Sequence, residues 1–348
     1  MTERELTLLR EEIRRIDSEI IDLVARRQDT PLRDNEQEER VLGRAASRAR
    51  ELGIDEELVK DLLGILISHS LRVQGSLERD EAFLGKRALV VGGAGRMGEW
   101  TCRYLSNRGA EVSVWDDRAE LPGYRNAESL TGGLVGADIV VVSSPPGTCA
   151  SHLGKVFEAA PQGLVFDICS VKSHISGILR EGAGRGLKVT SAHPMFGPNV
   201  PSPKGLNVLV CPCGSSDADD EAEGLFLSGG AVTTRVELDE HDRLMAYGLG
   251  LPHLCTLLFG SVVEGSGMQP AELGSAAGPS FRRLSRMASE LSSESRRVYH
   301  DIQALNPHTE AMLAGFESAF RELREAALNK DPRAFGKIMD SCKEYFGG

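Results

Sequence analysis

The stretch Ala88 to Gly98, ALVVGGAGRMG, decides how this chain folds. So short an apolar run suits a strand covered on both faces, and the residues after it read as turn and then helix. Gly93, Gly95 and Gly98 stand in the spacing G-x-G-x-x-G between strand and helix. That order lets a pyrophosphate approach the backbone closely, with the amides of a helix N-terminus beneath it. A second strand, AEVSVWDD at 110 to 117, ends on Asp116, where an acid can hydrogen-bond an adenosine ribose. The expected dinucleotide site is therefore Gly93, Gly95, Arg96, Met97, Gly98 and Asp116. A carboxylate at 116 repels a 2'-phosphate, so NAD is expected ahead of NADP, although Arg118 close by weakens the preference.

Upstream of this unit the chain reads as helix. Leu6, Leu9, Ile13, Ile16, Ile20 and Leu23 recur at intervals of three and four, predicting a long helix that ends near Asp29 because Pro31 follows. Further helices are predicted over 35–51 and 55–74, with Gly53 between them. Downstream, strand-like runs at 138–142, 164–168 and 208–211 extend a parallel α/β sheet. After about Glu240 helical periodicity returns, as in Met312, Phe316, Phe320, Leu323 and Ala327. Three regions are expected: helical 1–80, dinucleotide-binding 85–240, and helical 241–348.

The chain has 348 residues, a net charge of -11 and a pI near 5.3. Such a surface repels nucleic acid and anionic lipid. With the charged start MTERELTLLREE no signal peptide is expected, nor an apolar stretch that reaches the length of a membrane span. Seven cysteines lie scattered without a Cys-x-x-Cys pair, and Cys211 and Cys213 flank a proline without partner ligands. Reduced thiols in a cytoplasmic protein are expected, and no metal site.

Six further blocks follow in order: SSPP at 143–146, DICSVK at 167–172, AHPMFGP at 192–198, EHDRLMA at 240–246, LPH at 251–253 and FRRLSRMA at 281–288. With these blocks the chain resembles prephenate dehydrogenase over about 85–348. The resemblance implies a Rossmann-type domain joined to an all-helical C-terminal dimerisation domain, and NAD-dependent oxidative decarboxylation of prephenate in tyrosine synthesis. It adds Ser144 to the cofactor site and implies that His193 is the base that accepts the carbinol proton. Ser170 matches a serine that hydrogen-bonds this histidine and the substrate; its other reading is a loop serine capping the next helix. His253 is either a substrate contact or a buried histidine at a kink after Pro252. For the substrate carboxylates Arg286 comes first and Arg282 second, against the alternative that both are merely solvated. His241 and Asp242 are expected to orient the cleft wall. Arogenate dehydrogenase is the nearest alternative activity; a β-hydroxyacid dehydrogenase and an NAD-sensing regulator are more distant ones.

The first 80 residues resemble the all-helical chorismate mutase class, and the fusion order is that of bifunctional chorismate mutase-prephenate dehydrogenases. Arg10, Arg27, Glu38, Ser70 and Gln74 match site positions of that class. One straight helix would hold Arg10 and Arg27 roughly 25 Å apart, so the class builds its sites from two intertwined chains. The family lysine beyond Arg27 has no counterpart because Pro31 intervenes, and Gln37 replaces a family arginine. A degenerate mutase serving as an assembly module is expected, with an active bifunctional enzyme as the alternative. The implied partners are prephenate, chorismate, tyrosine as an inhibitor, and a second copy of the chain, since the C-terminal helices carry more apolar surface than one chain can bury.

Overall fold

The computed structural model describes residues 3–28, 35–56, 58–59, 62–63, 66 and 83–347. Helix α1 (Glu3–Gln28) stops just before the predicted break, and α2 (Asn35–Leu52) follows. Most of the third expected helix lies outside the described residues. Ile13, Ile16, Ile20 and Leu23 on the apolar seam of α1 are exposed.

From Arg87 to Arg235 the chain builds one eight-stranded sheet. Its strands are β1 (Arg87–Val91), β2 (Glu111–Trp115), β3 (Arg125–Asn126), β4 (Ile139–Val142), β5 (Leu164–Asp167), β6 (Val189–Pro194), β7 (Asn207–Cys211) and β8 (Val232–Arg235). The order across the sheet is β3-β2-β1-β4-β5-β6-β7-β8. Successive side chains of a strand point to opposite faces. Accordingly Ala88, Val90, Ile139 and Val141 pack with Trp100, Leu105 and Phe226 on one side, whereas Leu89, Val91, Val140 and Val142 pack with Leu153, Phe157 and Leu179 on the other. Each valine, leucine, isoleucine or phenylalanine among them, once buried, contributes about 1.5–3 kcal/mol.

Two features depart from the sequence reading. β7 runs antiparallel to β6 rather than parallel, because no helix stands between Pro194 and Asn207 and a parallel return needs a crossover. β3, β6 and β8 were not expected. The middle of β6 is Thr190, Ser191 and His193, polar residues that are nonetheless buried, so its apolar signal is weak.

The sheet helices are α3 (Arg96–Arg108), α4 (Leu130–Leu134), α5 (Pro146–Glu158), α6 (Ser176–Gly184) and α7 (Ser216–Ser228). Beyond β8 only helices follow. α8 (Leu238–Met245) passes through a π-helical segment (Ala246–Gly250) into α9 (Leu251–Gly265). Then come α10 (Pro270–Ala276), α11 (Pro279–Ser292), α12 (Arg296–Ala304), α13 (Thr309–Leu328) and α14 (Pro332–Phe346). The continuous run Leu238–Gly265 is, by length and composition, apolar enough to cross a membrane, contrary to the expectation that no stretch would be. Its start is tied to protein, because His241 and Asp242 are fully buried against the sheet domain. Its later turns expose Leu257, Leu258 and Val262.

Candidate active site

A cleft of about 690 Å³ opens at the carboxyl ends of β1 and β4, where the strand order reverses. Open parallel sheets present their ligand crevice at such a point. The glycine turn forms its floor. A Cβ on Gly98 would lie 2.2 Å from the Gly92 carbonyl oxygen, and Gly92 itself sits at φ +80 against the backbone of Ser143. Glycine is therefore required for α3 to start this close to β1. No side chain caps α3 at its N-cap Gly95, which leaves the first amides of that helix to an anion. Asp116 accepts a hydrogen bond from Ala94 N at 3.2 Å and another from Arg118 N at 3.0 Å. The Arg118 guanidinium meets Asp117 at 3.8 Å. An uncapped helix end, a turn that a Cβ would fill and an acid at the end of β2 fit a bound NAD.

Gly95, Arg96, Met97, Asp116, Ser144, Ser170, His193 and His253 all line this one cleft. Gly93 and Gly98 shape it from behind. The Ser144 hydroxyl and His152 Nδ1 are 2.6 Å apart. Arg96 pairs with Glu294 across the cleft mouth and reaches Asn199 Oδ1 at 3.2 Å.

His193, near the end of β6, is buried and joined to a chain of polar groups. Its Nδ1 is 2.9 Å from His241 Nε2, and His241 Nδ1 is 2.7 Å from Asp242 Oδ1. A carboxylate can only accept, so His241 must donate from Nδ1 and keep a lone pair on Nε2. His193 must then donate from Nδ1, which leaves its Nε2 a free base. Asp242 is held in turn by the amides of Lys172 at 2.8 Å and Ser173 at 2.7 Å. Burial alone would raise the Asp242 pKa, but the hydrogen bonds from His241 and Ser173 hold it well below the usual carboxylate range. Burial, with His241 and Lys172 adding to it, pushes His193 well below 6.5. The imidazole is thus neutral at pH 7 and able to take a proton.

Beneath this chain lies a second network that the sequence reading missed. The fully buried Lys172 donates to Asp167 Oδ1 at 2.6 Å and to the Ala192 carbonyl at 2.7 Å, and Ser191 donates to Asp167 Oδ2 at 2.5 Å. Burial works against the Lys172 ammonium, but Asp167 together with Cys211 and Cys169 outweighs it and the pKa rises. The only signal in the sequence is an acid closing an otherwise apolar strand, followed by a lysine in DICSVK. Tyr299 and Glu294, also on the cleft wall, have no signal that separates them from other polar helix residues.

The structure places the remaining expected site residues as follows. Ser170 faces the cleft, yet no hydrogen bond joins it to His193, whose Nδ1 is taken by His241. Nor does it cap α6, which begins at Ser176 with Ile175 as its N-cap. His253 lines the cleft beside Tyr299, their ring centroids 4.4 Å apart, with its Nδ1 buried and without a hydrogen-bond partner. Arg282 and Arg286 are not brought to the cleft. Arg286 is 82% exposed and pairs with Glu290 on its own helix, and Arg282 reaches only the Ala277 carbonyl. The reason is that α11 packs on α9 and presents these arginines to solvent within one chain. Ser70 and Gln74 lie outside the described residues, as do the side chains of Arg10, Arg27 and Glu38.

Three family models match the chain in succession: Chorismate mutase type II over residues 9–75, Prephenate dehydrogenase, nucleotide-binding domain over 118–209, and Prephenate dehydrogenase, dimerization domain over 237–341. The "Probable arogenate/prephenate dehydrogenase" of Methanocaldococcus jannaschii is 26% identical over 74% of this chain, which spans 60% of that relative's length. The T-protein of Enterobacter agglomerans is 25% identical over 99% of this chain and 93% of its own. The crystal structure of prephenate dehydrogenase from A. aeolicus in complex with hydroxyphenyl propionate and NAD+ superposes with a TM-score of 0.62 at 18% identity, covering 75% of this chain and 96% of that one. By its succession of matched domains, the chain belongs to the prephenate dehydrogenase family and carries a chorismate mutase type II domain ahead of the dehydrogenase, the arrangement of the T-proteins.

Proposed function

We propose that this chain oxidises prephenate to 4-hydroxyphenylpyruvate and carbon dioxide in tyrosine synthesis. The observation that carries the reading is the hydrogen-bonded series Asp242, His241, His193, which leaves one basic nitrogen facing the cleft beside the glycine turn. Bound NAD would supply the hydride acceptor. His193 Nε2 takes the carbinol proton while the ring carboxylate departs, and His241 with Asp242 keeps the imidazole in the tautomer this requires. The uncapped start of α3 holds phosphate, and Asp116 holds the adenosine ribose and disfavours a 2'-phosphate. Ser170 and His253 line the same cleft, and in this reading they contact the substrate, with Ser170 bonding the reacting hydroxyl.

The chain acts as a homodimer in this reading. Leu257, Leu258, Val262, Leu284 and Met287 are exposed on α9 and α11, two helices that pack on each other, and a contiguous apolar face marks an interaction surface. The N-terminal region serves mainly in assembly, with weak or no mutase activity. All seven cysteines are free thiols, which suits the cytoplasm.

The deciding experiment follows NADH absorbance after separate additions of prephenate and arogenate. NADH formed with prephenate supports the reading, a response to arogenate alone reassigns the substrate, and silence with both overturns it. For the N-terminal region, chorismate loss without NAD is compared with Arg27→Ala. Brisk loss abolished by that substitution would make the region a working mutase. Tyrosine acting on the dehydrogenase would appear in competition kinetics against prephenate.

A further inference from the structure

Beside the cleft lies a pair of thiols, one lining it and one enclosed behind it, that the proposed hydride chemistry does not use. Cys149 sits in the first turns of α5 and Cys169 in the loop after β5, and both are buried. Their sulfurs and a carboxylate oxygen of Asp167 lie within 4.8 Å of one another. Asp167 is already committed to Lys172, Ser191 and the Cys169 amide. The two thiols are therefore left facing each other, and Cys169 also lines the cleft next to Ser170.

A third group completes the arrangement. His174 Nε2 is 2.9 Å from the Pro146 carbonyl, so it must donate there. Its Nδ1 then carries a lone pair, and that atom is buried without a hydrogen-bond partner of ordinary geometry. Cys169 and His174 are close enough that each favours the charged form of the other. Contact with Cys149, reinforced by His174 and Lys172, lowers the Cys169 thiol against the effect of burial, whereas Cys149 is raised. Cys169, which reaches the cleft and has His174 beside it, is thus placed to attack and the fully enclosed Cys149 to resolve, the division of labour in reversible thiol oxidation.

We propose that Cys149 and Cys169 form a peroxide-reactive pair whose conversion to a disulfide stops turnover. The Cys169 thiolate attacks one oxygen of a hydroperoxide and the O–O bond breaks. With hydrogen peroxide the departing oxygen becomes water on protonation, leaving a sulfenic acid on Cys169. The Cys149 sulfur then displaces that hydroxyl, which leaves as a second water once the Cys149 proton is counted. Two thiols are oxidised and one peroxide is reduced; an added dithiol reverses the change by exchange. The bond needs sulfurs about 2 Å apart. Forming it draws the start of α5, whose Pro146 lines the cleft, and the loop bearing Ser170 and the Asp242-binding amides toward each other. A displacement of about 1 Å at a reacting centre costs on the order of a hundredfold in rate.

The test treats the full chain with graded hydrogen peroxide and follows turnover, intact mass and a non-reducing peptide map. The expected result is a link between the Cys149 and Cys169 peptides that grows in step with a loss of turnover on the order of a hundredfold, both reversed by dithiothreitol. Cys149→Ser should remove the reversibility, because Cys169 is then left to oxidise further. The proposal is overturned if both thiols remain free for alkylation after peroxide, if inactivation maps to the exposed Cys255 or Cys342, or if Cys149→Ser shows the same reversible loss. Should that variant not fold, the map on the unaltered chain decides alone. Only the turnover readout rests on the dehydrogenase reading, so failure of that reading leaves the map intact and the two are told apart.

Discussion

The two walls of the cleft are built differently. The sheet wall, from the glycine turn to His193, is closed upon itself: its strands are buried on both faces, and Lys172, Asp167, Ser191, His241 and Asp242 satisfy one another. The helical wall reaches the cleft through His253, Glu294, Val298, Tyr299 and Ile302, yet behind it α9 and α11 leave Leu257, Val262 and Met287 exposed, with Arg286 in solvent. One wall holds its geometry within a single chain. The other has an apolar face for which a second copy of the chain is the proposed cover.

The largest expected effect is on the sheet wall. His193→Asn should cut turnover by a factor of roughly a hundred to ten thousand while NAD affinity, read by titration, stays near its original value. Retained turnover would remove His193 from the role of base. In the unaltered chain the rate should fall on acidification as the imidazole takes up a proton. Because burial has lowered its pKa, the midpoint should lie below 6.5. A midpoint at or above that value would mean His193 is less enclosed than its surroundings require.

Asp242→Asn comes next. An asparagine can donate to His241 and so reverse the series of hydrogen bonds, which should reduce turnover on the order of a hundredfold with little change in the pyrophosphate site. An unchanged rate would show that the tautomer of His193 is set elsewhere. Gly98→Ala places a Cβ 2.2 Å from a backbone oxygen that cannot move aside cheaply. It should destabilise the fold by about 1–3 kcal/mol in a thermal melt and weaken NAD binding.

The helical wall should answer differently. Val262→Glu puts a charge on a residue that is 72% exposed in one chain, so the fold should survive while sedimentation shifts from dimer to monomer. An unshifted dimer would place the interface elsewhere. The smallest effect is expected from Arg286→Ala, with a change in KM of about twofold or less if the arginine stays in solvent, as surface substitutions ordinarily behave. A much larger rise would mean that association carries Arg286 to a substrate and would restore its expected role.

The elements that were legible in the sequence share a physical property: their signals are local. The run at 88–91, the glycine spacing and the acid at 116 each state a backbone requirement within a few residues, and Pro31 states where α1 must stop. β6 was hidden because Thr190 and His193 are polar, and what buries them is Asp219 and His241, far along the chain. Family blocks drew attention to His193, His241 and Asp242, but neither composition nor spacing says that they stand in line or which nitrogen of His193 is free. Those facts depend on α8 folding back onto the loop after β5. The same holds for Arg286, whose block is recognisable although its side chain points to solvent beside Glu290. Sequence alone determined the dinucleotide turn and the order of sheet and helices, because short-range sterics and periodicity suffice for those. Tertiary structure alone decided the neutral base and the pairing of Cys149 with Cys169, because each depends on groups brought together from separate parts of the chain in a space that excludes water.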